Sequence, residues 1–350
     1  MRVLALPRDA NPYQELLYRE MRREGVPVGY LADATPSRTL NLLLLPLELV
    51  WARLRGGAVV HLHWVFGFGL PGGRRTRWLA RRWYGLFLRL VGLLRLPLVW
   101  TAHNALPHDP VFADDLAARR ALVRRAALVV AHDEAALGRL AELGLAPRRS
   151  VVIPHGSYPA PPVPPPPAGP GRTFLFLGRV TPYKGVPELL AAFAPLEGGH
   201  RLVVAGSCPD AALAARLRGA ASAGVELDLR HVPEEELAGL FAAADAVVLP
   251  FRAITTSGSA LLALSHGRPL VLPDLPALAG LPGTVRYDGS VPGLARALAD
   301  VAALDAAALR GLSDRALAYA ASVSWPVIAA ETTAAFRALR AGRAVHGGTT

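Results

Sequence analysis

The segment SYPAPPVPPPPAGPGR, residues 157 to 172, is half proline. A prolyl ring fixes φ and removes the amide donor, so such a segment joins neither a helix interior nor a central strand and runs as a stiff extended spacer. It divides the 350-residue chain into nearly equal halves, each of ordinary domain size. We therefore expect a first domain over residues 1–156, a linker over 157–172, a second domain over 173–340 and a frayed tail over 341–350.

Short β-rich runs alternate with longer Ala/Leu/Arg-rich helical patterns on both sides of the linker. The runs are VLAL, VPVGYL, AVVHLHW, LPLVWTAH, ALVVAH and SVVIPH in the first half, and TFLFLG, RLVVAG, VELDLR, AVVLPF and PLVLPD in the second. This alternation predicts an α/β chain with two doubly wound, Rossmann-like parallel sheets. Two such domains joined by a linker leave a cleft between them. Ligands of open parallel sheets bind beyond the carboxyl ends of strands, so functional residues are sought just after these runs. The last pattern, Ser322 to Leu339, reads as a helix of the second domain.

Hydrophobic residues make up 52% of the chain, which excludes general disorder. The apolar run LNLLLLPLELVW, residues 40–51, is interrupted by Pro46 and Glu48, and no run reaches the roughly 18 to 20 residues of a bilayer span. The N-terminus passes from a short apolar run into polar residues without a signal-peptide core, so the mature protein is expected to begin at Met1. A single cysteine, Cys208, allows no intrachain disulfide, suits a cytoplasmic setting and reads as a buried structural thiol.

The formal charge is +11, and residues 51–100 hold nine arginines and no acid. Such a patch calls for nucleic acid, anionic lipid or a phosphorylated substrate. Nucleic acid is the weakest of these, since no binding motif or stacking platform accompanies the charge. Placed on a helix, RRTRWLARRWYGLFLRL (residues 74–90) gathers Leu79, Trp83, Leu86, Phe87 and Leu90 on one arc, with Arg74, Arg77, Arg81, Arg82 and Arg89 on another. Two readings stand: the apolar arc packs on the sheet, or the helix makes peripheral contact with an anionic membrane.

The chain writes every cation but one as arginine, and its only lysine, Lys184, follows TFLFLG in the run GRVTPYKG. Arg179 precedes it, Arg252 follows AVVLPF, and TTSGS (residues 255–259) stands directly before the helical pattern ALLALSHG. Thr256, Ser257 and Ser259 offer hydroxyls, Gly258 allows close backbone approach, and a helix start exposes free amides; together these make an anion site. Arg179 and Lys184 at the same point would add a planar fork and a compact charge, which suits a diphosphate.

The second half resembles the donor domain of GT-B fold glycosyltransferases, in particular the large family 4 and its relatives. The resemblance runs through LGRVTPYKGVPELLAAF, VVAGSCPD, HVPEEELAGLFAAADAVVLPF, TTSGSALLALSHGRPLV and WPVIAAETTAAF, covering roughly residues 172–340. It implies that Arg179 and Lys184 hold the donor diphosphate, that Arg230, His231 and Val232 bracket the nucleobase, and that Ser257, Gly258 and Ser259 meet the phosphates. It also implies a nucleotide diphosphate sugar as co-substrate, with no cofactor and no metal. One departure stands out. Retaining members of family 4 carry a pair of glutamates where this chain has Ile254 and Leu262. Similar TTSG loops occur in divergent bacterial exopolysaccharide and glycolipid transferases, including β-mannosyltransferases that use GDP-mannose, so a retaining outcome does not follow.

In the first half, RDANPYQELLY, HLHWVFGFG and TAHNALPHD resemble the same transferases more loosely. They suggest Asn11, Tyr13, His63, Trp64 and His108 on the acceptor. A base for the acceptor hydroxyl is sought among His103, His108, Asp109 and Asp9, with Asp109 preferred for an inverting reaction. The resemblance places His103 near the donor sugar. A zinc site on His61, His63 and His103 lacks any supporting Cys cluster or HExxH pattern. The expected function is hexosyl transfer from GDP-mannose or a UDP-sugar to a hydroxyl of a glycan or lipid-linked acceptor at the cytoplasmic face of a membrane. The alternatives are a nucleotide-sugar epimerase of the same fold and a non-catalytic, transferase-like partner subunit.

Overall fold

The computed structural model describes residues 1–9, 11–70, 72–107, 109–160, 163, 171–254 and 257–345. His108, Thr255 and Thr256, three of the residues singled out above, lie outside them. The chain divides into two compact units, residues 1–156 with 325–350, and residues 157–324.

The first unit runs β1 (Val3–Leu6), α1 (Pro12–Arg23), β2 (Val28–Tyr30), α2 (Arg38–Leu54), β3 (Val59–Leu62), α3 (Arg74–Leu93), β4 (Leu98–Thr101), α4 (Asp115–Arg125), β5 (Leu128–Ala131), α5 (Glu134–Glu142) and β6 (Ser150–Val152). Its six strands are all parallel in the order β2-β1-β3-β4-β5-β6. The order reverses at β1, between β2 and β3, and the crevice beyond the carboxyl ends of β1 and β3 is where such a sheet takes ligands. Strands β1, β3, β4 and β5 are buried along their whole length, as continuous Val/Leu runs covered on both faces must be.

The second unit runs β7 (Thr173–Leu177), α6 (Val186–Phe193), β8 (Arg201–Ala205), α7 (Ala211–Ala220), β9 (Val225–Asp228), α8 (Glu234–Ala243), β10 (Ala246–Val248), α9 (Gly258–Ser265), β11 (Leu270–Pro273), β12 (Thr284–Tyr287), α10 (Val291–Ala303) and α11 (Ala306–Ser322). Its parallel order is β12-β11-β10-β7-β8-β9, the doubly wound arrangement that reverses between β7 and β10. The strand TVRY (β12) was not among the sequence runs.

The last helix, α12 (Trp325–Arg340), corrects the sequence reading that gave it to the second domain. Its buried stripe of Trp325, Ile328, Ala329, Thr332, Thr333 and Phe336 recurs at helical spacing and packs on the first unit against α1. Trp325 meets Tyr13 edge-on at 5.1 Å, and Phe336 meets His61 at 5.0 Å. A Cβ on Gly156 would stand 2.5 Å from the Trp325 ring, so the end of the first domain admits only glycine there.

Two smaller corrections follow. Cys208 is half-buried at the edge of the second core rather than fully buried. Helix α3 buries Ala80, Tyr84, Phe87, Leu88 and Val91, whereas Leu79 and Leu86 of the expected apolar arc are exposed. Among the described residues no helix is long and apolar enough to cross a membrane.

Candidate functional site

In the second unit, the strand ends at the β7/β10 reversal come together through glycines. Gly185 has φ +71°, and a Cβ there would lie 1.9 Å from the Pro250 carbonyl oxygen, so the turn after Lys184 rests directly on the chain leaving β10. A Cβ on Gly206 would meet the Gly178 carbonyl at 2.1 Å, and one on Gly178 would stand 3.0 Å from Ser259 Oγ. The ends of β7 and β8 therefore abut, with the start of α9 beside them. Ser257 caps α9, its Oγ accepting from the Ala260 amide at 3.1 Å. The first amides of a helix have no intrahelical partner and carry its positive dipole end.

Lys184 is half-buried in this corner. Its Nζ sits 4.2 Å from the centre of the Phe251 ring and 5.3 Å from that of Tyr183. Among the described residues no carboxylate lies within 4 Å of Lys184 or of exposed Arg179. Burial without a counter-charge lowers the Lys184 pKa to about 8. An anion placed here would raise the pKa of this ammonium again; among the described residues no carboxylate does so.

The remaining donor-side residues separate. The Arg252 amide donates to the Tyr183 carbonyl at 2.9 Å, which ties it to the same turn, but its guanidinium is paired with Glu188. Arg230 pairs with Asp228 at 3.1 Å and with Glu236, so its charge is neutralised before any ligand arrives. His231 is exposed and Val232 packs against the core. Ile254 and Leu262, standing where the resemblance has glutamates, also pack on the core.

In the first unit, the polar residues beyond the strands form one hydrogen-bonded chain whose direction can be deduced. His132 Nδ1 lies 3.0 Å from the Ile153 carbonyl, which only accepts, so Nδ1 carries the proton and Nε2 is the acceptor. His103 Nδ1 must then donate to His132 Nε2 (3.1 Å), and His63 Nδ1 to His103 Nε2 (3.0 Å). The Tyr18 hydroxyl donates to His63 Nε2 (2.6 Å) and accepts from His61 Nδ1 (2.8 Å), while Thr101 Oγ1 donates to His61 Nε2 (2.8 Å). One assignment satisfies every link, with all four imidazoles neutral and protonated on Nδ1.

Burial enforces that neutrality. It lowers the pKa of His61 to about 3 and of His132 to about 4, and holds His63 and His103 well below their ordinary value. His155, whose Nδ1 donates to the Gly156 carbonyl at 2.8 Å, is lowered to about 3. Buried Tyr13 sits among these rings, with centroids 5.6 Å from His63, 4.7 Å from His103, 5.4 Å from His132 and 5.0 Å from His155.

This arrangement changes the roles read from sequence. Both ring nitrogens of His103 are engaged, so it has no lone pair with which to take a proton from an acceptor; it acts as a fixed platform, stacked on Trp64 at 4.5 Å and 16°. Asn11 caps α1, its Oδ1 accepting from the Tyr13 amide at 2.9 Å, and Tyr13 is structural. Trp64, His63 and Asp109 do share one cavity of about 390 Å³, lined also by Asn104, Pro107 and Arg119. Arg119 was not foreseen; it is buried, donates through Nε to the Ala105 carbonyl at 2.8 Å and lies 4.6 Å from the Trp100 ring centre. Tyr18 and His132 were also missed, although four of the six first-half runs close on His or on His-Trp. Among the described residues no His, Cys, Asp or Glu group is arranged to hold a metal ion.

Comparison with known proteins places this geometry. Residues 171–314 match the family model described as glycosyl transferases group 1. A GDP-mannose:glycolipid 4-beta-D-mannosyltransferase of Xanthomonas campestris pv. campestris is 35% identical over 107 residues, which is 30% of this chain and 30% of that relative. Over the whole length, Anabaena HepE in complex with UDP and glucose aligns with a TM-score of 0.66 at 16% identity, covering 97% of this chain and 100% of that one. Sucrose-phosphate synthase from Thermosynechococcus elongatus gives 0.67 at 17% identity, covering 97% and 99%. The chain has the GT-B fold, and most of its second unit resembles the glycosyl transferases of group 1.

Proposed function

We propose that this protein transfers a hexose from a nucleotide diphosphate sugar to a hydroxyl of a glycan or lipid-linked acceptor. The observation that carries the proposal is Lys184, a half-buried ammonium without a carboxylate among the described residues, set in the turn at the β7/β10 reversal. Departure of a nucleoside diphosphate builds negative charge on its terminal phosphate, and a cation already in place at that point stabilises the transition state without reorganising. Arg179 and the amides at the start of α9 share this role, and no metal is needed for it. The Xanthomonas relative supports GDP-mannose as donor, and the UDP complex of HepE supports a UDP-sugar. On the acceptor side, the Trp64–His103 stack forms a sugar-sized apolar wall, and Asp109 in the same cavity takes the hydroxyl proton. The reaction takes place at the cytoplasmic face of a membrane, which residues 74–90 contact.

A second reading rests on Ile254 and Leu262. With two core-packed apolar residues in place of glutamates, a non-catalytic partner subunit is the specific rival. Donor turnover in the presence of EDTA, measured across GDP-, UDP- and dTDP-sugars, separates the readings. Release of one nucleoside diphosphate without metal supports the transferase. Absence of both turnover and nucleotide binding supports the subunit, and an epimerised donor supports an epimerase.

A further inference from the structure

Helix α2 carries two apolar faces, and only one of them is used by the fold. Leu42, Leu45, Leu49 and Ala52 are buried in the first core. On the opposite side, Leu40, Leu43, Leu47, Val50, Trp51 and Leu54 are all exposed, with Leu43 at 60%, Leu47 at 66% and Leu54 at 78%. At about 100° per residue these six fall within an arc of about 100°, a complete second stripe on a helix that needed one. Trp78, Leu79 and Leu86 of α3 are exposed as well. Between the two helices runs an apolar groove of about 380 Å³ lined by Leu42, Leu43, Leu70, Leu79, Trp83 and Leu86. Isolated surface leucines need no explanation, but a continuous apolar face of this extent marks a contact surface.

The charge around it indicates what covers it. The nine arginines of residues 51–100 have no acidic neighbour in that segment, and among the described residues none is within 4 Å of a carboxylate. Arg55 lies 3.8 Å from the centre of the Trp51 ring, and Arg82 lies 4.7 Å from that of Trp78. Each exposed tryptophan thus carries a guanidinium at its face, the pairing suited to a boundary that is apolar on one side and anionic on the other.

We infer that the outer face of α2, with the α2–α3 groove, seats on a bilayer of anionic phospholipid. Leu43, Leu47 and Leu54 enter the acyl region, the groove takes hydrocarbon from a lipid chain, and Arg53, Arg55, Arg74, Arg75 and Arg82 meet the headgroups. The inserting element is α2, not the arginine-rich helix alone. This inference refines the membrane contact proposed above, and its test uses no nucleotide sugar, so failure here leaves the donor-site reading untouched.

The test is co-sedimentation of the full chain, at low salt, with vesicles of phosphatidylcholine alone or with added phosphatidylglycerol. Wild type should bind the mixed vesicles, and brominated acyl chains should quench its tryptophan fluorescence. The triple variant Leu43→Gln, Leu47→Gln, Leu54→Gln changes exposed positions only, so its melting temperature should match wild type while its partition falls at least tenfold. Absence of wild-type binding overturns the inference. So does undiminished binding by the triple variant, which would reduce the contact to charge alone. A wild-type dimer in gel filtration that the triple variant lacks would assign the face to a second copy instead.

Discussion

The two units gather polar side chains beyond a sheet reversal in opposite ways. In the first, four histidines, a tyrosine and a threonine satisfy one another in a single directed chain that ends on a backbone carbonyl. In the second, a lysine and an arginine after β7 have no carboxylate within 4 Å among the described residues. A closed network has nothing left to offer a ligand electrostatically; it holds rings in place and gives a site its shape. An open one leaves a cation for an anion to compensate. The contrast matches the proposed roles: shape and apolar contact for an acceptor, charge for a diphosphate.

Acidification should break the first arrangement and spare the second. Histidines held neutral by burial bind protons less readily folded than unfolded. Their stabilisation is therefore fully present above the unfolded pKa near 6.5 and is lost as pH falls towards the folded values of about 3 to 4. At pH 5 the loss should be on the order of 2 kcal/mol for each of His61, His132 and His155. Thermal unfolding between pH 5 and 8 reads this; a flat profile over that range would mean the imidazoles are not held neutral.

The next largest effect belongs to the open arrangement. Lys184→Arg keeps the charge but spreads it over a planar fork in a turn that a single Cβ at Gly185 would already obstruct. Turnover should fall about 100-fold or more, equivalent to roughly 3 kcal/mol in the barrier, with the melting temperature unchanged. Near-normal turnover would make Lys184 an ordinary surface residue.

Removing one link from the closed chain should cost stability instead. Tyr18→Phe leaves His63 Nε2 without a donor and the His61 Nδ1 proton without an acceptor, at a site with no access to water. Denaturant titration should show a loss of about 2 to 4 kcal/mol, from roughly 1 to 3 for each buried unsatisfied group. A loss below 0.5 kcal/mol would contradict the single directed chain.

The smallest effect sharpens the contrast between paired and unpaired cations. Arg230→Ala removes an exposed guanidinium already held by Asp228 and Glu236, and exposed pairs contribute about 0 to 1 kcal/mol. Its nucleotide affinity should stay within about threefold of wild type, because the charge was never free. A loss comparable to that of Lys184→Arg would show that Arg230 exchanges its carboxylates for the ligand.

Much of the fold was legible in the sequence because its signals are local. Eleven runs became strands, since continuous Val/Leu/Phe segments bounded by Gly, Pro or Asn have few other uses in an alternating chain. The strand TVRY escaped because it is a half-buried edge strand of four residues with Arg286 at its third position, too short and too polar to stand out. The periodicity of α12 announced a helix but not which sheet it covers, which depends on Trp325 finding Gly156 and Tyr13 across more than a hundred residues. On α3, apolar residues occur on more than one side of the wheel, so periodicity alone did not single out the arc that packs. In the site, the lone lysine was visible as a compositional exception. Pairing was not: Arg230, Arg252 and Arg179 look alike in sequence, and only the positions of Asp228, Glu236 and Glu188 set the first two apart from the third.

Because Lys184 is the only lysine, a protein made with ¹³C-labelled lysine reports one Cε resonance, whose shift with pH gives the pKa of this ammonium directly. The free protein should titrate at about 8, and saturating GDP or UDP should move the midpoint up by at least one unit as the diphosphate supplies the missing counter-charge. A lysine that titrates near 10.5 and is moved by no nucleoside diphosphate would contradict the assignment of Lys184 to the donor site.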